Sequence, residues 1–106
     1  MPRRPEEIWK PIADAELKTP GVTGGTGFGR SEGLRIEKRI YAMLVQGELV
    51  VKLPKPRVDE LAGDGLGRRF EPGAGRVMKG WLSVPTSASW RWRALVHEAK
   101  GFVGSG

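Results

Sequence analysis

Gly33-Leu-Arg-Ile-Glu-Lys-Arg-Ile-Tyr-Ala-Met-Leu-Val-Gln-Gly-Glu-Leu-Val-Val-Lys-Leu53 is the stretch whose reading decides the fold. Ile40, Ala42 and Leu44 alternate with Tyr41, Met43 and Val45, so a strand here is apolar on both faces. Gln46-Gly47 is a two-residue turn of hairpin type, and Glu48 to Leu53 returns as a second strand. Upstream, residues 33–36 alternate and join the same system through Glu37-Lys38. The stretch therefore predicts a three-stranded antiparallel meander, which Pro54 and Pro56 bring to an end.

Working outward, residues 5–18 predict a first helix. Ile8, Trp9, Ile12, Ala13 and Leu17 form one apolar stripe, and Pro5, Glu6 and Glu7 suit a first turn. Pro11 either kinks this helix or starts it. Arg57 to Ala62 predicts a short helix ended by Gly63-Asp-Gly65. Residues 69–71 read as a short strand. Residues 77–84 alternate, with Met78, Leu82 and Val84 facing one way and Lys79, Trp81 and Ser83 the other. Ser and Thr between Pro85 and Ser89 are N-cap candidates for a terminal helix. In that helix Trp92, Leu95, Val96, Ala99, Phe102 and Val103 make the buried stripe, and Trp90 is expected to join Trp92 in the core. The expected class is α+β, in the order α-β-β-β-α-β-β-α: an antiparallel sheet of about five strands with helices packed on it.

The chain is expected to form a single domain over residues 1–106, room for one two-layer core. The absence of cysteine removes disulfides, thiolate nucleophiles and cysteine-ligated metals. No apolar run reaches the roughly 18 residues of a membrane span, and Met1-Pro-Arg-Arg-Pro-Glu-Glu is not followed by an apolar signal segment. A cytoplasmic location without membrane partners is expected. Lys and Arg number 18 against 12 Asp and Glu, a formal charge of +6 that favours acidic partners.

Candidate chemistry is sparse. Val22-Thr-Gly-Gly-Thr-Gly-Phe-Gly29 resembles a dinucleotide-binding loop, but that loop needs a strand before it and a helix after it. Here a strand follows, so a bulged or flexible strand approach is expected, with no small-molecule cofactor. His97 is the one histidine, next to Glu98, and no cysteine and no second histidine exist to build a metal site or a conventional triad with it. Asp59, Glu60 and Asp64 read as a solvated helix face, and no Gly-x-Ser-x-Gly elbow surrounds a serine. No catalytic residue is expected.

Basic and aromatic residues carry the remaining signal. Lys52, Lys55, Arg57, Arg68, Arg69, Arg76 and Lys79 gather in the second half of the chain, with Trp81 among them. Lysine and arginine neutralise phosphates, and an exposed tryptophan stacks on a base or anchors a protein interface. These eight residues are the candidate binding surface.

The residues from Gly33 to Pro54 are similar to the core of the TfoX/Sxy N-terminal domain, which carries a Phe-Ala-Met-Leu-Val-x-Gly-x-Leu pattern. Agreement continues through Arg57-Val-Asp-Glu-Leu61, Phe70-Glu-Pro-Gly73 and Gly75-Arg-Val-Met-Lys-Gly-Trp-Leu82. The YjbR/MmcQ-like group shares the same kind of strand pair and closing helix. Tyr41 stands where phenylalanine is common, and Glu37-Lys38 replaces a glycine-containing turn. The resemblance implies the element order above and a non-enzymatic regulatory role in transcription or competence. No family site carries over. The expectation is an adaptor that binds protein, a homodimer among the options; the alternative is a weak nucleic-acid-binding module using the basic surface.

Overall fold

A computed structural model describes residues 3–25, 32–73 and 75–105. Thr26 to Gly29 of the glycine-rich loop, and Arg30 after it, lie outside the described residues. The elements are α1 (Pro5–Glu16), β1 (Val22–Gly24), β2 (Glu32–Ile36), β3 (Arg39–Val45), β4 (Glu48–Lys52), α2 (Lys55–Gly63), β5 (Arg68–Gly73), β6 (Arg76–Val84), a 3₁₀ turn (Thr86–Arg91) and α3 (Trp92–Gly104). Every strand pairing is antiparallel, and the sheet runs β1-β2-β3-β4-β6-β5. The α+β class and the meander of residues 33–53 are as expected. The sixth strand, β1, was not: three residues of a glycine-rich loop gain order by pairing with β2, a long-range effect that local pattern does not carry.

Turn chemistry fixes the meander. Gln46 and Gly47 have φ of 50° and 80°, and Glu37 and Lys38 have 49° and 74°, so both hairpins close with two left-handed residues. That backbone twist matches the right-handed twist of the strands. Gly47 also passes under the Pro5 ring, at 3.3 Å from where a Cβ would stand, so glycine serves both conformation and space.

One continuous core lies between the sheet and the helices. Leu49 and Val51 of β4, Leu53 just after it, and Leu82 and Val84 of β6 meet Trp9 and Ile12 of α1, Val58 and Leu61 of α2, and Trp92, Leu95, Val96 and Ala99 of α3. Pro11 sits inside α1 on its exposed side. The hydrogen bond it cannot donate would have gone to the Glu7 carbonyl, which is left to water. Pro56 does not simply stop a strand; it occupies the first turn of α2, where its missing N–H costs nothing. That helix ends with Gly65 N–H donating to the Ala62 carbonyl and Leu66 N–H to the Leu61 carbonyl, the paired closure that a left-handed glycine permits.

The start of α3 differs from expectation. Thr86 to Ser89 lie in the 3₁₀ turn rather than capping the helix, whose N-cap is Arg91 with no side-chain cap bond. The turn is held instead by the Trp92 indole, which donates to the Pro85 carbonyl at 3.3 Å. Only one of the two tryptophans is core. Trp92 is fully buried, whereas Trp90 is 76% exposed beneath the Arg91 guanidinium. The helical period explains this, because the buried stripe starts at Trp92 and the preceding turn is not in register with it.

A bulge in β3 places a polar network in the core. Leu34 pairs with Ala42 and Arg35 with Ile40, which leaves Tyr41 without a partner across the strand. Tyr41 and Ala42 both turn towards the helices. The Tyr41 hydroxyl donates to Glu16 Oε1 at 2.8 Å, and Lys100 Nζ reaches Glu16 Oε2 and Thr19 Oγ1, each at 3.4 Å. Glu16 and Lys100 side chains are only 12% and 14% exposed. Burial, first, and then the adjacent Glu16 carboxylate push the Tyr41 phenol well above its ordinary range. The phenol therefore stays neutral and acts as a fixed donor tying β3 to α1.

Candidate binding face

Strand alternation sends Glu48, Val50 and Lys52 of β4 to the side away from the helices, and the register sets Met43 beside Val50, Val50 beside Ser83 and Lys52 beside Trp81. The β3 bulge adds Ile40 to the same side, in phase with Met43 and Val45. Among the described residues, α3 reaches this side only at its end, where Phe102 and Val103 stand beside Ile40 and Lys52.

The β5–β6 hairpin curls over one end of this face. Arg69 pairs with Leu82, but the next residue, Phe70, pairs with Met78, so the ladder skips Lys79, Gly80 and Trp81. Strand β5 can come this close because residue 67 is glycine; a Cβ there would overlap the Ser83 carbonyl oxygen. The skip changes the phase of β6. Met78, expected beside Leu82 in the core, is instead partly exposed and turned with Trp81 into a trough of about 690 Å³. Ile40, Met43, Val45, Phe70, Pro72, Met78 and Trp81 make its apolar surface, with Lys38 and Arg76 among its lining residues.

The eight candidate residues do not form one cluster. Lys52, Arg76 and Trp81 converge: Arg76 and Trp81 line the trough, and Lys52 Nζ lies 5.6 Å from the Trp81 ring centroid. Arg68 is on the same face but bound to Glu48, NH2 to Oε1 at 3.1 Å, with Ser83 Oγ donating to that oxygen at 2.6 Å. Arg57 faces the helices, where its Nε donates to Glu98 Oε2 at 2.8 Å and NH1 to Glu60 Oε1 at 2.6 Å. Those two carboxylates raise its pKa above the usual arginine range. Arg69 is held by Asp59, with NH2 at 2.5 Å and Nε at 3.1 Å from the same oxygen. Lys55 is exposed at the start of α2, and Lys79 is exposed on the skipped segment of β6; neither lines the trough.

Sequence reasoning passed over Lys38, Ile40, Met43, Phe70 and Met78 as surface residues. A signal was present: a strand apolar on both faces, with helices enough for one, leaves the second face uncovered. Among the described residues, Lys38, Arg39, Lys52 and Arg76 have no carboxylate within 4.0 Å, and the Arg35 Nε is buried without a hydrogen-bond partner.

Among the described residues no three His, Asp or Glu side chains gather as metal ligands, and His97 is exposed on α3, away from the trough. No helix among the described residues is long and apolar enough to cross a membrane.

Comparison with known proteins gives a fold likeness. No family model matches the chain, and no curated protein matches it. Among solved structures it resembles that of the Deinococcus radiodurans protein DR2400, described as having a DUF419 domain. The TM-score is 0.66 at 18% sequence identity, over 97% of this chain and 80% of that one. At that identity the likeness is one of fold.

Proposed function

We propose that the chain is a non-enzymatic regulatory domain of TfoX-like or YjbR-like type whose outer sheet face binds a protein partner. One observation carries this reading: the helices cover one side of the sheet, and the other keeps a trough of about 690 Å³ with seven apolar side chains in its lining. Exposed apolar surface of this kind, rimmed by charge, marks interaction sites. The trough is built from residues 38–81, the same region that carries the sequence resemblance. A regulatory role in transcription or competence accords with that resemblance.

The test is affinity capture with Met43→Glu and Trp81→Ala beside the wild type. A partner held by the wild type and lost by both folded variants supports the proposal; retention by both refutes it. A nucleic-acid reading draws on the stacked Lys52–Trp81 pair and the unpaired cations around it. Salt-sensitive retention of single-stranded DNA at about 50 mM salt, weakened by Arg76→Glu, would favour that reading instead.

A further inference from the structure

A second recess adjoins the trough. Arg39, Ile40, Lys52, Phe102 and Val103 enclose a hollow of about 230 Å³ where the end of α3 meets the sheet. Ile40 lines both recesses, and Lys52 links the hollow to the Trp81 wall of the trough. Phe102 belongs to the apolar stripe of α3, yet it stays 39% exposed because it stands at the lip of this hollow rather than in the core.

Resting on the protein-binding reading above, we infer that hollow and trough are one groove that takes a linear acidic segment of a partner protein carrying two apolar anchors. Charge selects the occupant. Among the described residues, those lining the two recesses include Lys38, Arg39, Lys52 and Arg76 and not one carboxylate. A second copy of this chain would set the same cations against each other, on a molecule already at +6. An acidic segment meets complementary charge from Arg39 and Lys52 in the hollow to Lys38 and Arg76 in the trough.

The lining selects protein over nucleic acid. Single-stranded nucleic acids are held chiefly by aromatic platforms. Here the aromatics Phe70, Trp81 and Phe102 are outnumbered by Ile40, Met43, Val45, Met78 and Val103, whose aliphatic walls fit inserted apolar side chains. Two recesses fit two anchors.

Fluorescence anisotropy with synthetic probes tests this. The main probe is a Glu/Asp-rich peptide carrying two phenylalanines. Its controls have one phenylalanine, or lysine in place of the acids, and oligo-dT is run alongside. The two-anchor acidic peptide is expected to bind best, and loss of one anchor to cost about tenfold or more. Phe102→Ser should reduce the two-anchor peptide to single-anchor affinity while leaving the single-anchor peptide unchanged. Arg39→Glu, an exposed charge at the start of β3, probes the same hollow should Phe102→Ser unfold, and should weaken the acidic peptide about tenfold. Equal binding of the lysine peptide, or no effect of either hollow variant, overturns the inference while leaving the trough as a protein site. Binding of oligo-dT without any peptide overturns the inference and the protein-binding reading together.

Discussion

Replacing Tyr41 by phenylalanine removes one oxygen and tests how the core is held. The lost hydroxyl donates at 2.8 Å to Glu16 Oε1, a carboxylate with little access to water. A hydrogen bond to a charged group contributes about 1.5–3 kcal/mol, and the acceptor left behind has little water to replace it. For a domain of this size that loss lowers Tm by about 7–14 °C. The pH dependence is sharper still. Because the folded phenol titrates above the unfolded one, its stabilisation is complete below about pH 10 and is lost as pH rises further. The wild-type advantage over Tyr41→Phe should therefore shrink by about 1.4 kcal/mol per pH unit above that point. Urea melts at pH 7, 10 and 11 measure this. Tyr41 is the one tyrosine in the chain, so tyrosinate absorbance of the native protein reports it alone. A native phenol ionising near pH 10, or a penalty below about 0.5 kcal/mol at pH 7, would refute the reasoning.

Four more substitutions probe separate parts of the fold. Gly67→Ala drives a methyl into the Ser83 carbonyl and should cost about 2 kcal/mol or more, read as a lower urea midpoint; a neutral result would mean β5 does not approach β6 as described. Lys38→Gly relieves a left-handed lysine at φ 74° and should raise stability by about 0.5–1 kcal/mol in thermal melts, despite the added freedom of the unfolded chain. Trp90→Ala should change stability by less than about 0.5 kcal/mol, whereas Trp92→Ala should cost about 3–5 kcal/mol; similar losses from both would place Trp90 in the core.

How far the sequence foretold this molecule depends on the range of the interaction involved. The meander of β2, β3 and β4 follows from alternation and two-residue turns, both local, and it formed as expected. Strand β1 depends on a partner, not on its own residues. The binding face shows the same division. Trp81 and Lys52 share a face because alternation says so, and Lys52 is in register with Trp81. Met78 joins them only because the β5–β6 ladder skips three residues, and no single-strand periodicity encodes a skip. Clustering of basic residues in sequence misled for a related reason. Arg57, Arg68 and Arg69 each meet a carboxylate from another element, Glu98, Glu48 and Asp59, so their charge is consumed within the fold.

The sheet order carries a consequence for how the protein is made. Strand β6 lies between β4 and β5, and α3 covers the central strands, yet both come late in the chain. A nascent polypeptide that has emerged as far as Lys52 already displays an apolar meander with neither its lateral neighbour nor its roof. Such intermediates attract chaperones and one another, and pairing across long stretches of chain is slow. Emergence of β6 and α3, rather than hairpin formation, therefore sets the moment at which this domain becomes safe from aggregation.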